Sequence, residues 1–160
     1  MQEIISPIWG TVMDVSSRHD LDPVLVFALI EQESNYQTQA MRFEPGYRWL
    51  WPKPSEVKAP FGVSLATERN QQATSWGLMQ VMGAVAREHG CGLPYLSSLC
   101  NPGLGIEYGC KHLAKLKRRW PAKCDYISAY NAGHPTMKNK QYVASVLARS
   151  ERLRAWLEST

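Results

Sequence analysis

An uninterrupted apolar run, residues 24–30 (Val-Leu-Val-Phe-Ala-Leu-Ile), most constrains what this chain can fold into. Asp22 precedes the run as a good helix N-cap, and Pro23 suits the first helical position. A helix that is apolar on every side belongs in a protein core. The sequence therefore predicts a buried helix over residues 22–36, with other elements packed against all of its sides.

Two glutamates at the end of this helix are candidate catalytic acids. Glu33 lies on the arc of Val26, Leu29 and Ile30, at i+7, i+4 and i+3. An ionised carboxylate at the inner end of a buried helix is costly, so its pKa is expected to rise, as a general acid at neutral pH requires. Glu31 also has apolar neighbours, so periodicity leaves the choice between them open. The plainer interpretation is a helix end with two solvated glutamates.

Length, charge and hydropathy narrow the class of protein. With 160 residues the chain suits one domain with a real core, and its ordinary apolar content argues against disorder. It has no run of 18 apolar residues, so no membrane span is expected, and its first residues lack the regions of a signal peptide. The net charge of +4 fits an anionic polymer as partner: cell wall, nucleic acid or membrane surface. The densest basic cluster is interpreted as a solvated helix end; it comprises Lys115, Lys117, Arg118 and Arg119.

Helical periodicity runs through most of the remaining chain. Helices are predicted over residues 6–18 with Ser6 as N-cap, from Ser75 to about His89, from Asn101 to Pro121, over residues 125–133, and over residues 140–158 with Tyr142 on the apolar face. Gly90 and Gly133 suit the position after a helix end. Gly103, Gly105 and Gly109 indicate close approach of another backbone. The predicted fold class is mostly α.

Residues 37–74 break this pattern with four prolines and a cluster of aromatic residues. A plain loop of this length is unusual in a compact domain, so we expect an irregular excursion, with a short hairpin near residues 42–51. The aromatic faces suit stacking on sugar rings or bases, or else form a small satellite core. Glu44, between Arg42 and Arg48, is either half of a local ion pair or a second carboxylate in a cleft.

An amide and four cysteines complete the candidate groups. Gln80 lies beside an apolar stripe, so it is either a structural bridge or a ligand contact, whereas Met82 is a core residue by default. The cysteine spacing fits no common zinc pattern, so no metal is expected. Cys91 and Cys100 flank a short loop and are the best pair for a disulfide, with free buried thiols as the alternative in a reducing cytosol.

Four landmarks now stand in one order along the chain. They are Glu33-Ser34, Gly-Leu-Met-Gln-Val-Met at residues 77–82, Asn101-Pro102 leading to Ile-Glu-Tyr-Gly at residues 106–109, and Ala-Tyr-Asn-Ala-Gly at residues 129–133. Over roughly residues 20–147 they closely resemble the soluble lytic transglycosylase family, the goose-type-lysozyme-like branch of the lysozyme superfamily. The resemblance implies a lysozyme-like single domain that cleaves peptidoglycan between N-acetylmuramic acid and N-acetylglucosamine.

The resemblance also implies roles for individual residues. The family's catalytic Glu directly precedes Ser, which selects Glu33 over Glu31. Gln80 and Met82 would line the glycan groove, and Tyr130 would place its hydroxyl near the catalytic carboxyl, with Asn131 beside it. Further substrate contacts are assigned to Ser34, Glu44 and Tyr108. The sequence departs from the family in a longer gap before Gly77, and in Ala-Thr-Ser-Trp at residues 73–76 where the family has a Ser and a small Gly-Ala pair.

The family's chemistry implies one carboxylate and no metal or organic cofactor. Protonated Glu33 would give its proton to the glycosidic oxygen, and the resulting carboxylate would take the proton of the C6 hydroxyl, which closes on C1 to a 1,6-anhydro ring. The alternative is a hydrolysing lysozyme, in which a second carboxylate activates water. Glu44 is the first nominee for that role; weaker candidates are Glu56, Glu68 and Glu107.

Other classes of function receive less support. A helix-turn-helix DNA binder would need a recognition helix with a basic exposed face, which the sequence lacks, so no nucleic-acid partner is expected. An inactive virion protein would have no reason to hold Glu33, Gln80, Tyr130 and Asn131 together. Arg-Phe-Glu-Pro at residues 42–45 looks similar to bacteriophage cell-wall enzymes. We therefore expect a monomeric endolysin or virion-associated enzyme, made in the host cytoplasm or packaged in a phage particle, with peptidoglycan strands as its partner.

Overall fold

A computed structural model describes the backbone of residues 2–159 and the side chains of residues 8–159. The chain is mostly helical with one small sheet, as the sequence predicts. The helices are α1 Gln2–Arg18, α2 Pro23–Ser34, α3 Leu65–Gln72, α4 Gly83–Glu88, α5 Pro102–Arg119, α6 Lys123–Ala132 and α7 Lys140–Glu158. The strands are β1 Met41–Phe43, β2 Thr74–Trp76 and β3 Val81–Met82, and single 3-10 turns cover Leu96–Cys100 and Met137–Asn139.

The chain groups into two compact units. One unit, here called the terminal unit, comprises the chain up to Tyr36 and from Cys110 onward. The other, here called the inserted unit, is the continuous segment Gln37–Gly109.

In the terminal unit, α2 is the central helix that the sequence predicts. The side chains of residues 24–30 are all buried, and α2 packs against α1 and α7. Asp22 caps the helix, because its Oδ1 accepts a hydrogen bond from the backbone N–H of Val24 at 2.9 Å. The helix ends at Asn35, which adopts the left-handed conformation with φ 48°. α1 begins at Gln2 rather than at Ser6, and the predicted cap by Ser6 lies outside the described side chains.

In the inserted unit, a three-stranded antiparallel sheet replaces part of a predicted helix. β2 lies between β1 and β3, with Arg42 opposite Ser75 and Trp76 opposite Val81. The prediction of a helix from Ser75 is therefore wrong up to Gly83, where α4 begins. The predicted hairpin within residues 42–51 is also wrong, because β1 pairs with β2 instead.

Backbone conformation and crowding keep the turn between β2 and β3 from being helical. Gly77 has φ +69°, and a Cβ at this position would lie 2.3 Å from the carbonyl oxygen of Leu99. Gln80 also has a positive φ, 46°. Left-handed conformations at two positions cannot continue a right-handed helix. The apolar periodicity that begins at Leu78 therefore does not produce a helix before Gly83.

A buried ion pair organises the inserted unit. Glu68 on α3 is fully buried, and its two carboxylate oxygens accept hydrogen bonds from Arg87 Nε at 2.7 Å and Arg87 Nη2 at 2.8 Å. Gln72 donates to the same carboxylate at 2.9 Å. Arg87 Nη1 also donates to the carbonyl oxygens of Cys91 and Leu93. The pair thereby joins α3, α4 and the loop after α4. α3 itself was not predicted, because it lies inside the stretch interpreted as irregular.

Two of the three glycines of α5 are closely approached by other atoms, one by backbone and one by a side chain. A Cβ on Gly105 would lie 2.5 Å from Leu99 O, and one on Gly109 would lie 2.4 Å from Met79 Sδ. Gly103 has more room, since its nearest atom is 3.3 Å away. The predicted approach of another backbone is therefore confirmed at Gly105, whereas Gly109 makes room for the side chain of Met79.

The described part of the chain has neither a helix suited to a membrane span nor a disulfide. Within residues 2–159 no helix combines the length and apolar character needed to cross a bilayer. All four cysteines lie in this part of the chain and are free thiols, three of them buried and Cys124 exposed. Cys91 and Cys100 are thus not joined in this structure.

Candidate active site

Glu33 lies in the last turn of α2, and its carboxylate meets a tyrosine from α7. Tyr142 donates a hydrogen bond from its hydroxyl to Glu33 Oε1. Burial raises the pKa of the Tyr142 hydroxyl well above its usual value, and the charge and hydrogen bond of Glu33 raise it further. Tyr142 therefore stays protonated at neutral pH and acts as a neutral donor to the carboxylate.

A second tyrosine, Tyr130, lies in the last turn of α6 within electrostatic reach of the same carboxylate. Burial is the main cause of a strongly raised pKa at its hydroxyl, and the charge of Glu33 adds to it. The ring of Tyr130 also contacts the ring of His112, with 5.6 Å between their centroids. Glu33 is thus set among neutral phenolic groups in a partly buried position.

Glu31, the other candidate acid, has a different environment. Its carboxylate forms ion pairs with Arg152 and, at 3.4 Å, with Arg149, and accepts a hydrogen bond from Tyr36 at 2.8 Å. Two guanidinium groups and a tyrosine hydroxyl therefore already bind this carboxylate. The geometry therefore separates the two glutamates that periodicity left equal.

A polar network joins α6, which carries Tyr130, to the start of α7, which carries Tyr142. Asn139 Nδ2 donates to Ser128 O at 2.9 Å and to Asn131 Oδ1 at 3.0 Å, and Ser128 Oγ donates to Asn139 Oδ1 at 2.7 Å. Ser128 Oγ also accepts the backbone N–H of Thr136 at 2.9 Å. The exposed Asn131 therefore has a structural partner, and the network fixes the connection between the two helices that carry the tyrosines.

The remaining predicted site residues divide between the two units. In the terminal unit, Ser34 is buried and its hydroxyl donates to Ile30 O at 3.0 Å. In the inserted unit, Glu44 forms an ion pair with Arg42 at 2.6 Å, which is one of the two interpretations that the sequence offered. Tyr108, half-buried on α5, has a raised pKa, chiefly through burial and then through Cys91, with which its hydroxyl makes a hydrogen bond.

Gln80 uses its amide within the inserted unit. Its Nε2 donates to Ala40 O at 3.1 Å and to Gly77 O at 2.9 Å, while its Oε1 accepts from Ser75 Oγ at 2.9 Å. These contacts close the turn between β2 and β3, so Gln80 is a structural bridge. Met82 ends β3 and remains partly exposed.

The aromatic residues of residues 37–74 do not form the satellite core that was one of the two interpretations. Their exposed fractions are 49% for Phe43, 68% for Trp49, 43% for Trp51 and 102% for Phe61. Side chains packed together under a loop would have lost most of this area to their neighbours. The exposed rings leave the stacking interpretation open.

Tyr142 is a candidate site residue that sequence reasoning missed. Its position beside Val143 and one turn before Val146 led to its assignment as a packing residue. The sequence did contain one indication of this role, because the hydroxyl of a tyrosine on a buried helix face needs a hydrogen-bond partner. The sequence alone does not say which residue that partner is.

The chain is similar to known proteins in its family and in its fold. The family model described as the transglycosylase SLT domain matches residues 12–151, a range that includes residues of both units. No curated protein gave a significant match. Among solved structures, an inactive mutant of the lytic transglycosylase Slt from Pseudomonas aeruginosa is similar, with a TM-score of 0.62, 20% identity and coverage of 94% of this chain.

That likeness establishes the fold and not the activity, because the identity is low. The lysozyme-like architecture expected from the sequence is confirmed. The chain spans 25% of the length of the solved Slt chain. On the match of the family model over most of its length, the chain belongs to the transglycosylase SLT domain family.

Proposed function

We propose that this protein is a lytic transglycosylase that cleaves the β-1,4 bond between N-acetylmuramic acid and N-acetylglucosamine in peptidoglycan. Family membership and the lysozyme-like fold support an enzyme of this kind. The observation that carries the proposal is the contact between Glu33 and Tyr142, since it gives one carboxylate a neutral, preorganised setting. The inactive mutant of the structural relative replaces a Glu with Gln, which supports a glutamate as the acid.

In this proposal Glu33 acts twice. As the C1–O bond breaks, the carboxyl of Glu33 transfers its proton to the leaving glycosidic oxygen. The hydroxyl at C6 of the muramic residue then attacks C1 and gives its proton to the Glu33 carboxylate, so the acid is regenerated and a 1,6-anhydro ring forms. Between these steps the hydrogen bond from Tyr142 stabilises the carboxylate.

The muramic acid product distinguishes this reaction from hydrolysis. Purified peptidoglycan would be digested and the soluble muropeptides analysed by mass spectrometry. We expect products that are one water lighter than hydrolysed disaccharide-peptides. Products of full hydrolysed mass would instead identify a lysozyme, and the search for a water-activating base would begin with Glu44.

Tyr142→Phe is expected to lower the rate of peptidoglycan cleavage by about 10²-fold, the cost typical of removing one preorganised donor. Tyr36→Phe is a matched control, because it removes a tyrosine hydroxyl that donates to the neighbouring Glu31. We expect the control to keep near-normal activity, with both variants folded by circular dichroism. A folded Tyr142→Phe variant with an unchanged rate would exclude a catalytic role for this contact.

The biological setting is also a proposal. The motif Arg-Phe-Glu-Pro at residues 42–45 supports an origin among bacteriophage wall-degrading enzymes, acting on the cell wall as a monomer. Size-exclusion chromatography with light scattering would test the monomer, and lysis of sensitised bacteria by added protein would test the action on the wall.

A further inference from the structure

The inserted unit contains a groove that the proposed chemistry does not use, here called the aromatic groove. Residues 47–54 line it on one side, and Ala84, Val85 and Glu88 line it on the other. Its volume is about 590 Å³, within the range of sites that hold small ligands. Trp49 and Trp51 in this lining are well exposed. Exposed indole rings in a concave surface indicate a binding function.

Hydrogen bonds hold the backbone of Trp51 in the wall of the groove. The side-chain amide of Gln72 accepts a hydrogen bond from the backbone N–H of Trp51 at 2.7 Å and donates to its carbonyl oxygen at 3.2 Å. Gln72 in turn donates a hydrogen bond to the buried carboxylate of Glu68, which forms an ion pair with Arg87. A site whose backbone is held in place before binding loses less entropy when a ligand arrives.

The polar groups of the groove carry both signs of charge. The guanidinium of Arg48 lies 5.0 Å from the centre of the Trp49 ring, and Lys53 pairs with Glu56 at 2.6 Å. Glu88 faces the groove near Tyr47, whose pKa is raised by burial and by the Glu88 charge. A carboxylate in the lining disfavours a polyphosphate chain. Flat rings bordered by donors and an acceptor instead match a hydroxylated, N-acetylated sugar.

We propose that the aromatic groove is an accessory glycan-binding site, in which Trp49 and Trp51 stack against N-acetylated sugar rings. It does no chemistry and holds the polymer on which the enzyme acts. The identification of that polymer as peptidoglycan rests on the proposed function, whereas the binding of N-acetylated sugars does not. Arg48 then meets the carboxylates that muramic acid and stem peptides bear.

Binding is tested on the full chain carrying Glu33→Gln, with N-acetylglucosamine hexamer as the probe. The indole N–H signals in nitrogen-15 NMR spectra report each tryptophan separately. We expect the signals of Trp49 and Trp51 to shift on titration. Trp49→Ala and Trp51→Ala should each weaken binding about tenfold.

Phe61→Ala is the matched control, because Phe61 is a fully exposed aromatic residue outside the groove lining. It should leave the Kd unchanged. Both tryptophan variants should melt close to the parent temperature, since their rings are solvent-exposed and Trp51 keeps its backbone contacts with Gln72. Folded tryptophan variants with unchanged affinity would overturn the proposal, as would tighter binding of a DNA oligonucleotide that shifts the same signals.

A second readout separates this proposal from the proposed function. With Glu33 intact, Trp49→Ala should slow the digestion of insoluble peptidoglycan while the mass of the products stays the same. Products of hydrolysed mass would contradict the lytic chemistry and leave the groove proposal standing. Unchanged digestion of insoluble peptidoglycan by Trp49→Ala would contradict the groove as a holder of the polymer and leave the chemistry standing.

Discussion

Glu33→Gln is expected to lower the rate of peptidoglycan cleavage by about 10³-fold while leaving the fold intact. Glutamine has the shape of glutamate but can neither give nor take the transferred proton. Its amide oxygen can still accept the hydrogen bond from Tyr142, so the contact between α2 and α7 is retained. The fall in turbidity of a peptidoglycan suspension measures the rate, and circular dichroism with thermal unfolding measures the fold.

Glu31→Gln provides the control for this experiment. It changes a carboxylate two residues away on the same helix and weakens the ion pairs with Arg149 and Arg152. We expect some loss of thermal stability but cleavage within a few-fold of the parent rate. If Glu31→Gln abolished cleavage and Glu33→Gln did not, the two glutamates would have to exchange roles.

Arg87→Met is expected to reduce the free energy of unfolding by about 3–5 kcal/mol. The variant leaves the fully buried Glu68 carboxylate without its cation, and it also removes the donor to the carbonyl oxygens of Cys91 and Leu93. Domains are typically stable by about 5–15 kcal/mol, so this is a large share of the total. Urea unfolding followed by tryptophan fluorescence measures the change.

Arg42→Met tests whether burial is the reason for this effect. Arg42 also forms an ion pair with a glutamate, but its side chain is 75% exposed. Exposed pairs contribute about 0–1 kcal/mol, so this variant should be nearly neutral. Similar losses for both variants would show that the buried position of the Glu68 pair has no special energetic weight.

The helices of the terminal unit could be predicted because their signals are local. Asp22 and Pro23 define the start of α2 within two residues, and Gly133 with φ +79° follows the end of α6 as its sequence indicates. The apolar run of α2 then accounts for its central position. These signals depend only on residues that are neighbours in the sequence, so a single sequence is enough to read them.

The sheet of the inserted unit could not be predicted because its pairing is distant in sequence. Arg42 lies opposite Ser75, and the hydrogen bonds between their strands outweigh the helical periodicity that follows Ser75. The same limitation applies to the candidate site. Glu33 was predicted as the acid from its helix and its motif, whereas its contact with Tyr142 joins residues that are 109 positions apart.

The order of the two units along the chain has a consequence for engineering. The terminal unit contains Glu33, Tyr130 and Tyr142, whereas the inserted unit contains the aromatic groove. The inserted unit is one continuous segment of the chain. Homologous segments could therefore be exchanged as cassettes to vary the proposed glycan-binding groove, with the proposed catalytic groups left unaltered. One junction would follow Tyr36, where the backbone leaves α2, and the other would fall between Gly109 and Cys110, inside α5. Because the second junction lies within a continuous helix, a working chimaera must preserve the helical register across it. An insertion or deletion of one residue there would rotate the following part of α5 by about 100°.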